Sequence, residues 1–174
     1  MTLACAIAMA EALGKLGVDC VRIKWPNDLI LHGKKICGIL NEVSCDMDRI
    51  EYLVLGVGLN VHRGSVPDEL KEKAGCIADF TPPPRRRDIL CAYLLEMEQL
   101  LARIERDGYA GMEKKYREHS CTLGKRVQVI GAETFEGTAV DLDDRGALLV
   151  EDDDHLVHQV LAGDVSVRGV MGYV

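Results

Sequence analysis

The sequence predicts an α+β protein in which a mixed sheet with packed helices is followed by a small β-barrel. Three observations lead to this prediction. Apolar residues recur at helical spacing in residues 2–16 and 85–107. Short apolar runs separated by turn residues occupy the region between 18 and 61. Five short strand-like runs with hairpin turns then follow Gly124, which is typical of a small antiparallel barrel.

Composition narrows the class of protein and of partner. The 174 residues are 48% hydrophobic and 28% charged, the balance of a soluble globular protein, and the net charge is −7. An acidic total argues against nucleic acid and anionic membranes as partners, and no apolar run approaches the roughly 20 residues of a membrane span. The seven cysteines include no Cys-x-x-Cys pair. We therefore expect free thiols and a cytoplasmic location.

The first half of the chain reads as one helix followed by strands. The helix of residues 2–16 ends at Gly17, and the run 18–24 is strand-like. His32-Gly33-Lys34 separates two apolar runs, Leu29–Leu31 and Lys35–Val43, and so predicts a hairpin. The run 52–61 is uniformly apolar, which predicts a central strand buried on both faces.

The second half begins with a long helix. Residues 85–107 carry a stripe at spacing i, i+3, i+4 and i+7 that predicts a core-facing surface, and Gly108 ends it. A shorter helix is predicted over 109–119. We place a domain boundary near residue 122, with domains 1–121 and 122–174. The predicted stripe consists of Leu90, Tyr93, Leu94, Met97, Leu101 and Ile104, and the predicted barrel strands are 126–130, 134–142, 147–151, 156–160 and 164–168.

The most informative stretch is Lys24-Trp25-Pro26-Asn27-Asp28 with the run that begins at Lys34. It places two cations, Lys24 and Lys35, with one carboxylate and an aromatic that looks exposed. Two like charges close together are unfavourable unless an anion or carboxylate offsets them. Asp28 fits as that carboxylate, or as a ligand of Mg²⁺ held jointly with a nucleotide phosphate. The alternative is a surface hairpin with ordinary lysines.

Two other patterns allow a functional and a structural interpretation. Gly56 and Gly58 alternate along a strand and leave one face bare, either for a ligand or for close packing. Asn60 follows them and suits an adenine edge or a metal-bound phosphate, but equally a turn cap. His155 and His158 have the spacing of a ligand pair beside an acidic turn, where surface placement is favoured over metal binding.

With these motifs in view, the chain resembles the biotin protein ligase family. Residues 21–29, the run 35–42 and Gly56-Val57-Gly58-Leu59-Asn60 match that family's order and spacing. Residues 124–127 and 163–168 match its C-terminal domain, so the resemblance covers essentially the whole chain. It implies a class II synthetase-like core fragment followed by a Src-homology-like barrel.

The resemblance implies an enzyme that joins the biotin carboxylate to ATP with Mg²⁺, forms biotinyl-5′-AMP and pyrophosphate, and transfers biotin to a lysine of a biotin carboxyl carrier protein domain. A homodimer is a further possibility by resemblance. Lys35 matches the lysine that touches the biotin carboxylate and phosphate region, and is the expected catalytic residue. The residues expected at biotin are Lys35, Cys37 and Gly38, and those expected at the nucleotide are Lys24, Asp28, Asn60 and Arg168, with Asp28 also at the metal.

The family's Gly-Arg-Gly-Arg-x-Gly-Arg loop, which folds over biotinyl-AMP, does not occur in these residues. We therefore expect the chain to correspond to the C-terminal portion of the ligase, to be weakly active or inactive alone, and to have no repressor role. Two alternatives remain open. One is a lipoate–protein ligase, which shares the fold and the adenylation chemistry. The other is a non-catalytic module that binds a carrier protein or a second ligase subunit.

Overall fold

The computed structural model describes residues 1–46, 49–131, 134–162 and 166–169. Its helices and strands follow the predicted order. They are α1 (Thr2–Lys15), β1 (Arg22–Lys24), β2 (Asp28–Leu31), β3 (Lys34–Asp46), β4 (Arg49–Leu59), α2 (Arg86–Asp107), α3 (Ala110–His119), β5 (Arg126–Ile130), β6 (Thr134–Leu142), β7 (Leu148–Glu151), β8 (Val157–Val160) and β9 (Ser166–Gly169), with short 3₁₀ turns at Asp68–Leu70 and Ile77–Asp79.

The first sheet has the strand order β1-β2-β3-β4, and its ladders are antiparallel. Parallel pairing occurs there as two isolated bridges, Ile23–Ser120 and Lys35–Ala74. The hairpin prediction is confirmed: His32 and Gly33, at φ 47° and 80°, form the tight turn between β2 and β3. The first strand is shorter than the predicted run 18–24, because Cys20 has a φ of 63° and departs from strand geometry.

Helix α1 is almost entirely buried. Its alanines let it lie close to its neighbours, and Ile7 and Leu13 are fully enclosed between the sheet and the other two helices. Each such side chain contributes roughly 1.5–3 kcal/mol by leaving water. Helix α1 is also joined to α3 by charged side chains, since Glu11 pairs with both Lys115 and His119. The helical layer is therefore a rigid support for the strands beneath it.

The long helix is confirmed, but half of its predicted stripe is wrong. Helix α2 buries Ile89, Tyr93, Met97 and Leu100, whereas Leu90, Leu94 and Leu101 are 55%, 57% and 41% exposed. Helix α1 covers only the side of α2 centred on Tyr93. A stripe wider than the neighbouring helix therefore extends into solvent on one flank.

The prediction of a central strand over 52–61 is also wrong. In the described part of the chain, β4 pairs with β3 on one side and stands at the edge of the sheet. One of its faces is uncovered as well, as Ile50, Tyr52 and Val54 show with exposed fractions of 71%, 59% and 49%. A uniformly apolar run reports that both faces are apolar, and it does not require that both are covered.

The second sheet has the order β8-β7-β6-β5-β9 and is antiparallel throughout its described ladders. Its strands agree with the five predicted runs within two residues, although the first two residues of the last run, 164 and 165, lie outside the described residues. Val127, Val129, Leu148 and Val150 are buried, and they belong to the same hydrophobic cluster as the buried residues of α1. With three helices and two sheets, the α+β class is confirmed. None of the helices in the described ranges is both long and apolar enough to cross a membrane.

Candidate active site

The motif Lys24 to Asp28 is held in place residue by residue. Asn27 is clamped to β3, because its side-chain amide donates to the Ile39 carbonyl at 2.9 Å and its own carbonyl accepts the Ile39 N–H at 2.9 Å. Trp25, which looked exposed in the sequence, is 2% exposed, so that expectation is wrong. Its backbone N–H donates to Thr122 Oγ1, and its indole N–H donates to the Gly146 carbonyl in the turn between β6 and β7. Both donors therefore have partners while the ring is buried.

Asp28 and Lys35 meet across neighbouring strands. The Lys35 Nζ lies 2.5 Å from Asp28 Oδ1, an atom that is closed off from solvent and has no other hydrogen-bonding partner among the described residues. Gly38 pairs with Asp28 in the ladder. A Cβ at Gly38 would lie 3.3 Å from Lys35 Cε and Nζ, so the glycine leaves the space in which this ion pair sits.

Lys24 lies beside this pair. It is directly opposite Asp28 in the β1–β2 ladder and is only 9% exposed. Burial lowers the pKa of Lys24; Asp28 opposes that shift, while the positive charges of Lys35 and Arg168 add to it. Two other predicted nucleotide residues, Asp28 and Arg168, and the predicted catalytic Lys35 therefore all lie within electrostatic range of Lys24. Two adjacent ammonium groups and a guanidinium, offset in part by one carboxylate, favour an added anion.

The surface next to these charges has few side chains. Gly38 faces Gly58 in the β3–β4 ladder, and Gly56 faces Leu40. A Cβ at Gly56 or Gly58 would have ordinary contacts of 3.7–3.8 Å, so these two glycines are not forced by tight packing. The bare face predicted from the glycine spacing is thus present, and it gives a ligand access to the strand backbone.

Two of the predicted site residues are more deeply engaged in the fold. The Cys37 side chain is 1% exposed, and burial raises the pKa of its thiol to about 12, so it would meet a ligand through its backbone. Asn60 donates from its side chain to the Gly75 carbonyl at 3.1 Å, and its backbone N–H donates to Ile36 at 2.8 Å. Asn60 therefore links the end of β4 to the strand that carries Lys35.

The described residues contain no group of three or more His, Cys, Asp or Glu side chains that could hold a metal by themselves. His155 and His158 pair with Glu151 and Asp152 respectively, as expected of a surface cluster. Magnesium commonly takes one or two protein carboxylates and completes its shell with phosphate and water. The covered carboxylate of Asp28 fits a metal held mainly by a nucleotide.

Two residues of the site environment were missed by the sequence reasoning. Thr122 accepts the Trp25 backbone N–H, and the Gly146 carbonyl accepts the Trp25 indole N–H. They are 97 and 121 residues from Trp25 in the chain, and neither stands in a recognisable motif. The available signal was the glycine that ends the Asp143 to Gly146 turn in the sequence. In the structure this glycine has a φ of 83°, in the left-handed region that favours glycine.

Replacing Gly38 by alanine is expected to weaken ligand binding far more than it weakens the fold. The added Cβ must displace the flexible end of Lys35 by a few tenths of an ångström, which that side chain can accommodate. We expect unfolding free energy to change by less than about 1 kcal/mol and the affinity for biotin, the ligand expected at Gly38, to fall by about tenfold. Chemical denaturation and calorimetric titration measure the two quantities. Gly33→Ala, in the hairpin turn at positive φ, is the contrasting variant and should lose stability.

Together the fold and the site define an α+β protein with a cluster of positive charges, partly offset by one carboxylate, above a bare strand surface. Two family models match the chain, and together they cover more than half of it. The biotin/lipoate A/B protein ligase family matches residues 2–60, and the biotin protein ligase C terminal domain matches residues 122–168. The chain belongs to the biotin protein ligase family.

Relatives and solved structures agree with this assignment. The chain is 31% identical over 170 residues to the bifunctional ligase/repressor BirA of Escherichia coli, which covers 97% of the chain and 53% of the relative. It is 36% identical over 146 residues to the biotin–[acetyl-CoA-carboxylase] ligase of Mycobacterium tuberculosis, covering 82% and 52%. The biotin protein ligase from Aquifex aeolicus in complex with biotin and ATP superposes with a TM-score of 0.84 at 25% identity, covering 97% of this chain and 70% of that one. The chain thus spans about half the length of the curated relatives it matches.

Proposed function

We propose that this chain takes part in ATP-dependent biotin–protein ligation, forming biotinyl-5′-AMP at the site of Lys24, Asp28 and Lys35. The observation that supports this most strongly is the contact of Lys35 with Asp28 beside the buried Lys24, above the bare surface at Gly38. The Aquifex aeolicus ligase superposed above holds biotin and ATP, which supports the same two ligands here.

In the first step, a carboxylate oxygen of biotin attacks the α-phosphorus of ATP and pyrophosphate leaves. Both reactants are anionic, so their approach is opposed by charge repulsion. Lys35 and Lys24 offset this repulsion and stabilise the charge that develops on the phosphate oxygens. Asp28 orients Lys35 through their ion pair. Mg²⁺, when bound with the nucleotide at Asp28, would neutralise further phosphate charge.

Arg168 and Asn60 complete the proposed nucleotide side of the site. Arg168 brings a third positive charge toward Lys24 from the second sheet. Asn60 joins the end of β4 to β3, because its backbone N–H donates to the carbonyl of Ile36, the residue next to Lys35. Gly38 and the backbone of Cys37 form the proposed surface for biotin, since a ring can approach a strand that carries no side chain.

In the second step, the amine of a carrier lysine attacks the acyl carbon and AMP leaves, giving an amide. The proposed partner is a biotin carboxyl carrier protein domain. In support, the Mycobacterium tuberculosis relative is named for acetyl-CoA carboxylase as the protein on which it acts. We further propose the division into domains 1–121 and 122–174. A homodimer is also proposed, in keeping with the uncovered edge of β4. The seven cysteines are all free, which supports a reducing, cytoplasmic location.

A lipoate–protein ligase is the second candidate, because the family model matched by residues 2–60 includes both biotin and lipoate ligases. The match to the biotin protein ligase C terminal domain favours biotin.

A non-catalytic carrier-binding module is the third candidate, favoured by the exposed apolar side chains of β4 such as Ile50 and Tyr52. Pyrophosphate release separates the two ligases from the carrier-binding module, and the identity of the adenylate separates the two ligases from each other.

The direct test supplies ATP, Mg²⁺ and either biotin or lipoate to the chain and follows pyrophosphate release and the adenylate by mass spectrometry. We expect biotinyl-5′-AMP in the first case and little product in the second. The 174 residues contain no Gly-Arg-Gly-Arg sequence, which in the resembled family belongs to the loop that folds over biotinyl-AMP. We therefore expect slow turnover, and the assay uses enzyme in excess of biotin. An adenylate formed only with lipoate would support the second candidate. A chain that binds a carrier domain but releases no pyrophosphate would support the third.

A further inference from the structure

The segment between α3 and the second sheet runs along β1. Ser120 forms a parallel bridge with Ile23, and the Cys121 N–H donates to the Ile23 carbonyl at 2.9 Å. One step further along, the Trp25 N–H donates to Thr122 Oγ1 at 2.9 Å. Strand β1 has only three residues. This segment therefore supplies a large part of the contacts that fix its position.

A second contact holds the side chain of Trp25. Its indole Nε1–H donates at 3.1 Å to the carbonyl of Gly146, in the turn between β6 and β7. That turn is itself close to α1, since a Cβ at Gly146 would lie 2.9 Å from Leu3 Cδ1. Both N–H groups of Trp25 thus find acceptors outside the first sheet, and a buried donor left without one costs about 1–3 kcal/mol.

Trp25 stands between two charged site residues in the chain. Lys24 immediately precedes it and Asp28 follows it by three residues, and the two face each other in the ladder. A shift of the Trp25 backbone would therefore displace both groups relative to Lys35. Cys121 and Arg168, also beyond α3, interact electrostatically with Lys24. The same region thus sets both the position and the surroundings of this lysine.

We infer that Thr122 is a positioning residue for the adenylation site. Its hydroxyl, with the Gly146 carbonyl, anchors Trp25 and so holds Lys24 and Asp28 in the arrangement that meets Lys35. This role rests on the proposed function. Thr122 is 1% exposed, and valine would fill nearly the same volume without an acceptor. The hydroxyl, rather than the bulk of the side chain, is what distinguishes the native residue.

Three variants test the role of the hydroxyl. Thr122→Val removes the acceptor, Thr122→Ser keeps it, and Thr138→Val makes the same chemical change in β6, at a hydroxyl without a hydrogen bond in the described structure. For biotinyl-5′-AMP formation we expect kcat of Thr122→Val to fall between about 10-fold and 100-fold, with KM for ATP and biotin changed by less than about threefold. Thr122→Ser and Thr138→Val should stay within about threefold of the parent.

Trp25 gives an independent readout, because it is the single tryptophan of the chain. Its fluorescence should shift to longer wavelength in Thr122→Val and remain unchanged in Thr122→Ser and Thr138→Val. Should the valine variant not fold, Trp25→Phe, which removes the indole donor at the other anchor, carries the same expectation for kcat.

The outcomes separate this role from the proposed function. Equal kcat values for folded Thr122→Val and Thr122→Ser, or an unchanged Trp25 emission in Thr122→Val, would overturn the positioning role. A parent chain that forms no biotinyl-5′-AMP would contradict the proposed function. In that case the emission of Trp25 still decides whether Thr122 anchors it.

Discussion

Replacing Lys35 by alanine is expected to reduce the rate of biotinyl-5′-AMP formation by about 100- to 1,000-fold, the usual cost of removing one preorganised group that stabilises transition-state charge. Lys35 is the lysine that contacts Asp28, and it is one-third exposed, so it can reach an incoming ligand. Single-turnover formation of the adenylate, measured by quenched flow or mass spectrometry, gives the rate directly.

Lys114→Ala is the control for this experiment. Lys114 is 90% exposed on α3 and its distance to Glu118 is 3.9 Å, so its loss removes one positive charge without touching the site. We expect its rate to equal that of the parent chain. A Lys35→Ala rate within about threefold of the parent would contradict a catalytic role for Lys35.

The second large effect is expected for Asp28→Asn, with adenylate formation falling by about 10- to 100-fold, as is typical when the group that orients a functional residue is lost. The neutral amide keeps the shape of the side chain but leaves Lys35 without its ion pair. Stability should fall as well, because the buried Lys24 loses the opposing charge of Asp28, whereas the partly exposed Lys35 can turn toward solvent. Parallel denaturation curves separate this loss from the kinetic one.

The same variant makes a prediction about pH. Burial lowers the pKa of Lys24, and the negative charge of Asp28 partly opposes this shift. Removing that charge disfavours the ammonium form, so the pKa of Lys24 falls further. If a protonated Lys24 is needed, the alkaline limb of the pH–rate profile moves to lower pH in Asp28→Asn. A limb that stays in place or moves to higher pH would show that Lys24 does not control it.

Much of the fold follows from local sequence. Turn chemistry and periodicity within a few residues determine several of its features. These are the ends of two helices near Gly17 and Gly108, the hairpin at His32-Gly33 and the five strands after Gly124. The α+β class and the element order could therefore be predicted. The edge position of β4 could not, because an apolar face looks the same in the sequence whether or not another element covers it.

The site was predicted in part for the same reason. Lys24, Asp28 and Lys35 are close in sequence and lie on paired strands, so their approach follows from the hairpin. The burial of Trp25 depends on Thr122 and Gly146, which are distant in the chain. No local pattern predicts such contacts, and a tryptophan beside a lysine and a proline has the local sequence of a surface residue.

The most direct test of the site is to map where a biotinyl-adenylate mimic with a non-hydrolysable linkage binds to ¹⁵N-labelled chain. Binding at the proposed surface should shift the amide signals of Gly38, Gly56 and Gly58 most strongly, together with the single indole signal of Trp25, and the shifts should be absent in Lys35→Ala. Shifts confined to the cavity lined by Lys34, Arg63 and Lys71, with the glycine signals unmoved, would contradict the account.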